Sequence, residues 1–267
     1  MRSVGEYRNL IDLRGQTHVV LGAGQGMGRE TAGALAAFGA TVVCADLEAR
    51  RAHDVANEVG GIGVECDVTQ DGAVVEVMRV ATGIRQPVGG VVDIVGLVKW
   101  QPITEASTDE WSWQDSVVSG HGLRVIREAA PVLREQGWGA LTYVASVSAL
   151  TSAPGHGLYG MAKSALRSLV RTAAVELGPH GIRVNSVSPG ATRTPRLAER
   201  AEFDNAMREN AARTPLRRVA EPSDIAAVLL FLSSGLARHV TGEDLVVDGG
   251  LHLSWPLALP SGKETSA

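Results

Sequence analysis

Residues 17–29 read Thr-His-Val-Val-Leu-Gly-Ala-Gly-Gln-Gly-Met-Gly-Arg, and this stretch decides the fold. A short β-branched run, Thr17–Leu21, meets four glycines, Gly22, Gly24, Gly26 and Gly28. An Ala-rich helical pattern follows over Arg29–Phe38. Glycine allows the tight turn and leaves no side chain between the backbone and a ligand. Strand, glycine turn and helix in that order make a cradle for a pyrophosphate, because backbone N–H groups and a helix N-terminus then face the anion. Gln25 and Met27, between the glycines, belong to the same cradle. The plainer alternative is a glycine turn that serves packing alone.

Working outward, the pattern keeps alternating. Thr41–Ala45, Ile62–Cys66, Val91–Val95, Ala140–Ala145, Arg183–Val187 and Asp244–Val247 read as strands. Arg50–Val59, Ala73–Ala81, Leu158–Leu177 and Ser223–Leu232 read as helices, with a long helical stretch over Thr108–Glu135, in one piece or two. Right-handed crossovers between such strands predict a single-domain Rossmann fold over residues 1–267. It is a doubly wound parallel sheet of about seven strands with helices on both faces. Residues 191–213 form a variable substrate lid. Arg193–Arg213 carries charges of both signs and little pattern, so it reads as a solvated, mobile segment. In the C-terminal tail, 251–267, Leu251, Leu253, Trp255 and Leu257 are apolar enough to pack on a neighbouring subunit.

Composition narrows the function classes. A net charge of −4 gives no electrostatic case for nucleic acid or an anionic membrane. No apolar run approaches the roughly 20 residues that span a bilayer, and Met1–Leu10 has no apolar signal core. Cys44 and Cys66 each sit in an apolar run, which reads as buried thiols rather than a disulfide or a metal site. A cytoplasmic, metal-free enzyme is the expectation.

Two further groups carry chemistry. Asp46 ends the second strand, followed by Leu47. An acid there accepts from adenosine ribose hydroxyls and repels a 2′-phosphate, which favours NAD and makes NADP less likely; Arg50 and Arg51 temper that preference. Asp46 as a helix cap is the alternative. Tyr159 and Lys163 stand four apart, on one helix face. An ammonium beside a phenol favours the phenolate and brings its pKa down from about 10 toward the working pH. Ser146, at a strand end, can hold a substrate oxygen beside the tyrosine. Lysine is otherwise scarce: only Lys99 and Lys263 accompany Lys163.

With these motifs the chain resembles the short-chain dehydrogenase/reductase family from about Leu13 to Gly250. Gly22, Gly26 and Gly28 match its nucleotide turn, and Asp67-Val68 its adenine-contacting pair. Ser146, Tyr159 and Lys163 match its active-site trio. Asn185, Pro189-Gly190, Thr192 and Thr194 match the stretch after the sixth strand, and Asp248-Gly249-Gly250 its C-terminal signature. The resemblance implies hydride transfer between NAD(H) and a secondary alcohol or ketone, with Tyr159 as acid/base and Lys163 also on the nicotinamide ribose. It implies a homotetramer, or a homodimer, built on the long helices and the last strand. Non-redox chemistry of lyase or epimerase type, or a non-catalytic dinucleotide-binding role, are the alternatives.

Three positions depart from the family. Leu21 replaces a threonine. Asp93-Ile94-Val95-Gly96 stands where Asn-Asn-Ala-Gly is usual; Ile94 and Val95 read as core, and Gly96 still admits the cofactor. Val118 stands where an asparagine usually holds the water that links the lysine to solvent. Ser119 and His121 are the nearby polar candidates for that role, and packing or surface exposure is the plainer reading of His121. On the substrate side, Trp100–Pro102, Ala149–Gly157 and the lid are expected to build the pocket. Ser148 and His156 are its candidate polar contacts. Trp111 fits a packing position, and Trp113 faces either core or partner. A cyclic or otherwise bulky alcohol is the substrate the family's breadth suggests.

Overall fold

A computed structural model describes residues 4–199 and 203–253. After the short helix α1 (Val4–Arg8) the chain runs β1 (Thr17–Leu21), α2 (Gly26–Ala37), β2 (Thr41–Asp46), α3 (Ala49–Val59), β3 (Ile62–Glu65), α4 (Ala73–Gly83) and β4 (Val88–Asp93). Then come α5 (Thr108–Asp115), α6 (His121–Gln136), β5 (Gly139–Val144), α7 (Gly157–Leu177) and β6 (Ile182–Pro189). The last elements are α8 (Pro195–Ala198), α9 (Phe203–Arg213), α10 (Pro222–Ser233) and β7 (Asp244–Val247).

The seven strands form one sheet in the order β3-β2-β1-β4-β5-β6-β7, and every pairing is parallel. The order reverses between β1 and β4, so the crevice at their carboxyl ends is where a doubly wound sheet binds ligands. Parallel strands buried on both faces explain the near-continuous apolar runs. One face packs Val19, Leu21, Val91 and Tyr143 against α4, α6 and α7. The other packs Val20, Val42, Val92 and Val187 against α2, α3 and α10. Asn185 ties the sheet edge: its amide donates to Val240 O at 2.9 Å and accepts from Glu243 N at 3.1 Å.

The structure corrects or sharpens the sequence expectation at four points. Strand β4 begins at Val88 and ends at Asp93, not Val91–Val95. Ile94 and Val95 are only partly buried: each packs against the core on one side and lines the crevice on the other. A Cβ on Gly90 would lie 2.5 Å from Ala140 O, so glycine there lets β5 pack close to β4. Second, the long helical stretch falls in two pieces, one of the two arrangements expected, divided by a π-turn at Ser116–Gly120. Third, the lid segment is not patternless: α9 buries Phe203 and Met207 against Val219 in a small separate cluster. Arg193 lies over the Phe203 ring at 5.5 Å and pairs with Glu221 at 3.4 Å. Fourth, Trp111 is 50% exposed and Trp113 44%, so within one chain neither fills a packing position. In the tail, Leu253 is exposed; Trp255 and Leu257 lie outside the described residues.

Candidate active site

The glycine turn is built as the chemistry requires. Gly22 and Ala23 donate to Ala45 O at 2.8 and 2.9 Å, which pins the end of β1 to β2. Gly22 has φ 80° and Gly26 φ 53°, left-handed values natural to glycine. A Cβ on Gly28 would lie 1.9 Å from Gly22 O, so only glycine lets α2 start this close to the turn. Gln25 is extended and gives α2 no side-chain cap, so the first-turn N–H groups are left for an anion. Gly22, Gln25, Gly26 and Met27 line a cleft of about 430 Å³. Thr194 and Pro195 close over Gly26 from the lid.

Asp46, Leu47, Asp67, Val68 and Gly96 line the same cleft. Asp46 Oδ2 accepts from Gly24 N at 2.8 Å, and Oδ1 from Glu48 N at 3.1 Å. Gly24 is there for Asp46 and Arg51, both within 2.7 Å of where its Cβ would be. The nearby guanidinium groups are engaged: Arg51 pairs with Glu48 at 3.1 Å and Arg50 with Asp54 at 3.6 Å. Asp67 accepts from Thr69 N and Oγ1 at 3.0 and 2.6 Å, which hold its carboxyl below the usual range. Pro189, Gly190 and Thr192 stand behind the wall. Gly190 makes room for Asp248, and the buried Thr192 bonds Gly190 O at 3.1 Å.

Ser146, Tyr159 and Lys163 come together behind Gly96 and Val117 of the cleft wall. Ser146 follows β5 and its Oγ accepts from Ser148 N at 3.1 Å. The Ser146 side chain lies beside the Tyr159 hydroxyl and favours its ionised form. Lys163 Nζ lies 5.7 Å from the Tyr159 ring centre and donates to Val144 O at 2.6 Å. A Cβ on Gly96 would touch that ammonium at 2.7 Å. The expected lowering of the phenol pKa is absent in this geometry. Burial pushes Tyr159 up to about 12, and the neighbouring Ser146 side chain only partly opposes it. Burial also presses Lys163 down to about 8. Desolvation outweighs an ammonium that lies beside the ring and is bonded to a backbone carbonyl.

On the substrate side, Ser148 Oγ and His156 Nδ1 are 3.0 Å apart. The His156 ring meets Trp100 edge-on at 4.3 Å and Tyr159 at 6.0 Å between centres. Burial lowers the His156 pKa, so the ring is neutral at neutral pH. Of the three positions near the usual asparagine, Val118 is fully buried against Ala162, with Tyr159 alongside. Ser119 turns back onto Asp115. His121 is fully buried, and its Nε2 meets the Asp93 carboxylate at 2.9–3.1 Å. Sequence reading missed that pair, because residues 28 apart give no periodic signal. It also missed the lid residues Pro195, Arg196 and Glu199 on the cleft wall.

A glycine cradle beside a Ser-Tyr-Lys cluster at a topological switch point defines a dinucleotide-binding oxidoreductase. The family model described as enoyl-(acyl carrier protein) reductase matches residues 22–252, and the chain belongs to the short-chain dehydrogenase/reductase family. It is similar to 2,3-dihydro-2,3-dihydroxybenzoate dehydrogenase of Escherichia coli, 31% identical over 90% of this chain and 98% of the other. It is also similar to a tropinone reductase homolog of Arabidopsis thaliana, 30% identical over 91% of this chain and 93% of the other. Among solved structures it resembles 7α-hydroxysteroid dehydrogenase complexed with NADH and 7-oxo glycochenodeoxycholic acid. That comparison has a TM-score of 0.85 and 29% identity, covering 94% of this chain and 98% of the other.

Proposed function

We propose that this protein is an NAD-dependent oxidoreductase that interconverts a secondary alcohol and its ketone, with Tyr159 as general acid/base. The observation that carries the reading is Ser146 beside the Tyr159 hydroxyl and Lys163 Nζ 5.7 Å from the phenol ring, next to Gly96 on the wall of the glycine-lined cleft. A nicotinamide dinucleotide, when bound, supplies or accepts the hydride. The turn of Gly22, Gly26 and Gly28 would hold its pyrophosphate, Asp46 its adenosine ribose, and Lys163 its nicotinamide ribose. Gly24, Gln25, Met27, Leu47, Asp67, Val68, Gly96, Pro189, Gly190, Thr192 and Thr194 would complete its surroundings. Tyr159 donates its proton to the carbonyl oxygen in reduction and takes it from the alcohol in oxidation. Ser146 orients that oxygen, and the Lys163 charge stabilises the phenolate.

NAD is favoured over NADP because Asp46 and Glu48 face the cleft while Arg50 and Arg51 are paired with acids. A cyclic substrate is favoured because two similar proteins are named for ring compounds. Trp100 and His156 offer an aromatic wall with a polar edge, where Ser148 and His156 would hold a second oxygen. The exposed Trp111 and Trp113 fit a homotetramer or homodimer. The two free, buried cysteines fit a reducing cytoplasm. The test is absorbance of the reduced nicotinamide with a panel of cyclic alcohols and ketones, run with NAD and with NADP. Turnover with NAD that falls by roughly 10²–10⁴ in Tyr159→Phe supports the reading. Nicotinamide binding without turnover across the panel would favour a non-redox or non-catalytic role.

A further inference from the structure

Three titratable side chains are buried together beneath the cofactor cleft: Asp93 at 2% exposure, His121 at 0% and Lys163 at 1%. Asp93 closes β4 beside Tyr143 of β5, and the next residue, Val144, accepts the Lys163 ammonium. The carboxylate therefore stands at the end of one strand and the acceptor of the ammonium at the end of the next. Val144 O is the only hydrogen-bond acceptor of Lys163 among the described residues. The position that usually supplies an amide is filled by the apolar Val118, and Ser119 is committed to Asp115. A buried ammonium with one neutral acceptor calls for a counter-charge.

We propose that Asp93 is the counter-charge of Lys163 and that His121, neutral and donating through Nε2, is the positioning residue that holds the Asp93 carboxylate. This rests on the reading of Lys163 given above. Charge closure supports it: His121 Nδ1 is buried with no partner, so a proton there would be stranded. With the ring neutral, one carboxylate faces one ammonium and the buried group is electrically balanced. Asp93 Oδ1 accepts from His121 Nε2 and from Val95 N at 3.1 Å, and Oδ2 lies 2.9 Å from the same Nε2. Asp93 acts to keep Lys163 protonated against its burial. Burial above all keeps Tyr143 and Cys66 neutral, with the Asp93 charge a smaller contribution to both. Tyr159 is the remaining titratable group beside Lys163.

Only three lysines occur in the chain, so ¹³C-lysine NMR on the cofactor-free protein resolves Lys163 from Lys99 and Lys263. The Lys163 signal is expected to titrate near pH 8 in the wild type. In Asp93→Asn the midpoint falls by about one pH unit or more, while Lys99 and Lys263 do not move. In His121→Gln, which keeps a donor for Asp93, the midpoint stays close to wild type. An unchanged Lys163 midpoint in folded Asp93→Asn overturns the proposal. Should that variant not fold, ¹⁵N-histidine NMR of the wild type decides. A neutral His121 ring at pH 7, assigned by its loss in His121→Gln, supports the pairing. An imidazolium there would mean that Asp93 is neutralised by His121 and not by Lys163. Neither measurement needs turnover, so failure here is distinct from failure of the proposed activity.

Discussion

Replacing Gly28 with alanine separates a phosphate cradle from a packing turn. The added Cβ would lie 1.9 Å from Gly22 O, 2.7 Å from Gly22 C and 2.8 Å from Ala23 Cα. Since contacts below 3.0 Å are essentially never seen, the start of α2 and the turn must part by 3.0 − 1.9 = 1.1 Å. Neither partner is a flexible side chain, so the backbone itself must move. Overpacking of this kind costs about 1–3 kcal/mol, or about 2–4 °C in Tm for each kcal/mol. The same shift withdraws first-turn N–H groups from the anion. Losing one charge-assisted hydrogen bond weakens NADH binding about ten- to a hundredfold. The control is Gly33→Ala on the same helix, where a Cβ meets nothing within 4 Å. It should gain about 0.5–1 kcal/mol from helix propensity and leave affinity unchanged. Thermal melts with and without NADH, and a fluorescence titration, read both effects. A Gly28→Ala protein that melts early yet binds NADH as tightly as wild type would refute the reasoning.

Other predictions follow from the same geometry. Burial, with a smaller contribution from the Arg183 charge, holds His18 down to about 4. An unfolded histidine takes its proton near pH 6.5, so stability falls as pH drops from about 6.5 toward 4, by about 3 kcal/mol in full. His18→Gln should remove most of that acid loss in melts at pH 6.5 and 4.5; equal losses in both proteins would contradict it. Because Tyr159 is held up to about 12, its proton-donor form dominates at neutral pH. Alcohol oxidation should therefore rise with pH from 7 to 9 more steeply than ketone reduction, and parallel profiles would argue against Tyr159 as the proton carrier. Asp46→Asn keeps an acceptor for Gly24 N but removes the charge that repels a 2′-phosphate. It should narrow the preference for NAD over NADP by about tenfold or more, read as the ratio of kcat/KM values.

The sheet was legible because its signals are local. Thr17–Leu21 and Gly22–Gly28 announce strand, turn and helix within a dozen residues, and Tyr159 and Lys163 share a face by helical spacing alone. What escaped depends on contacts across the chain. Asp93 looked like a lost amide beside core residues until β4 was seen to end there, with the side chain aimed at His121 of α6. His121 looked like an ordinary histidine because the π-turn that sets its facing leaves no composition signal. The Tyr159 phenol was expected to be acidic from its distance in sequence to Lys163. Burial, which sequence spacing does not encode, decides the opposite for the cleft as it stands. In the lid, mixed charge hid the apolar pair Phe203 and Met207 that anchors α9.

Direct transfer of the carbinol hydrogen is the point at which the account is most exposed. A cyclic secondary alcohol deuterated at its carbinol carbon should deliver its label to C4 of the reduced nicotinamide, detected by mass spectrometry, and the label should not appear in water. Deuterium released to solvent while the cofactor stays unlabelled would mean that the cleft abstracts a proton at carbon, and hydride chemistry would have to be given up.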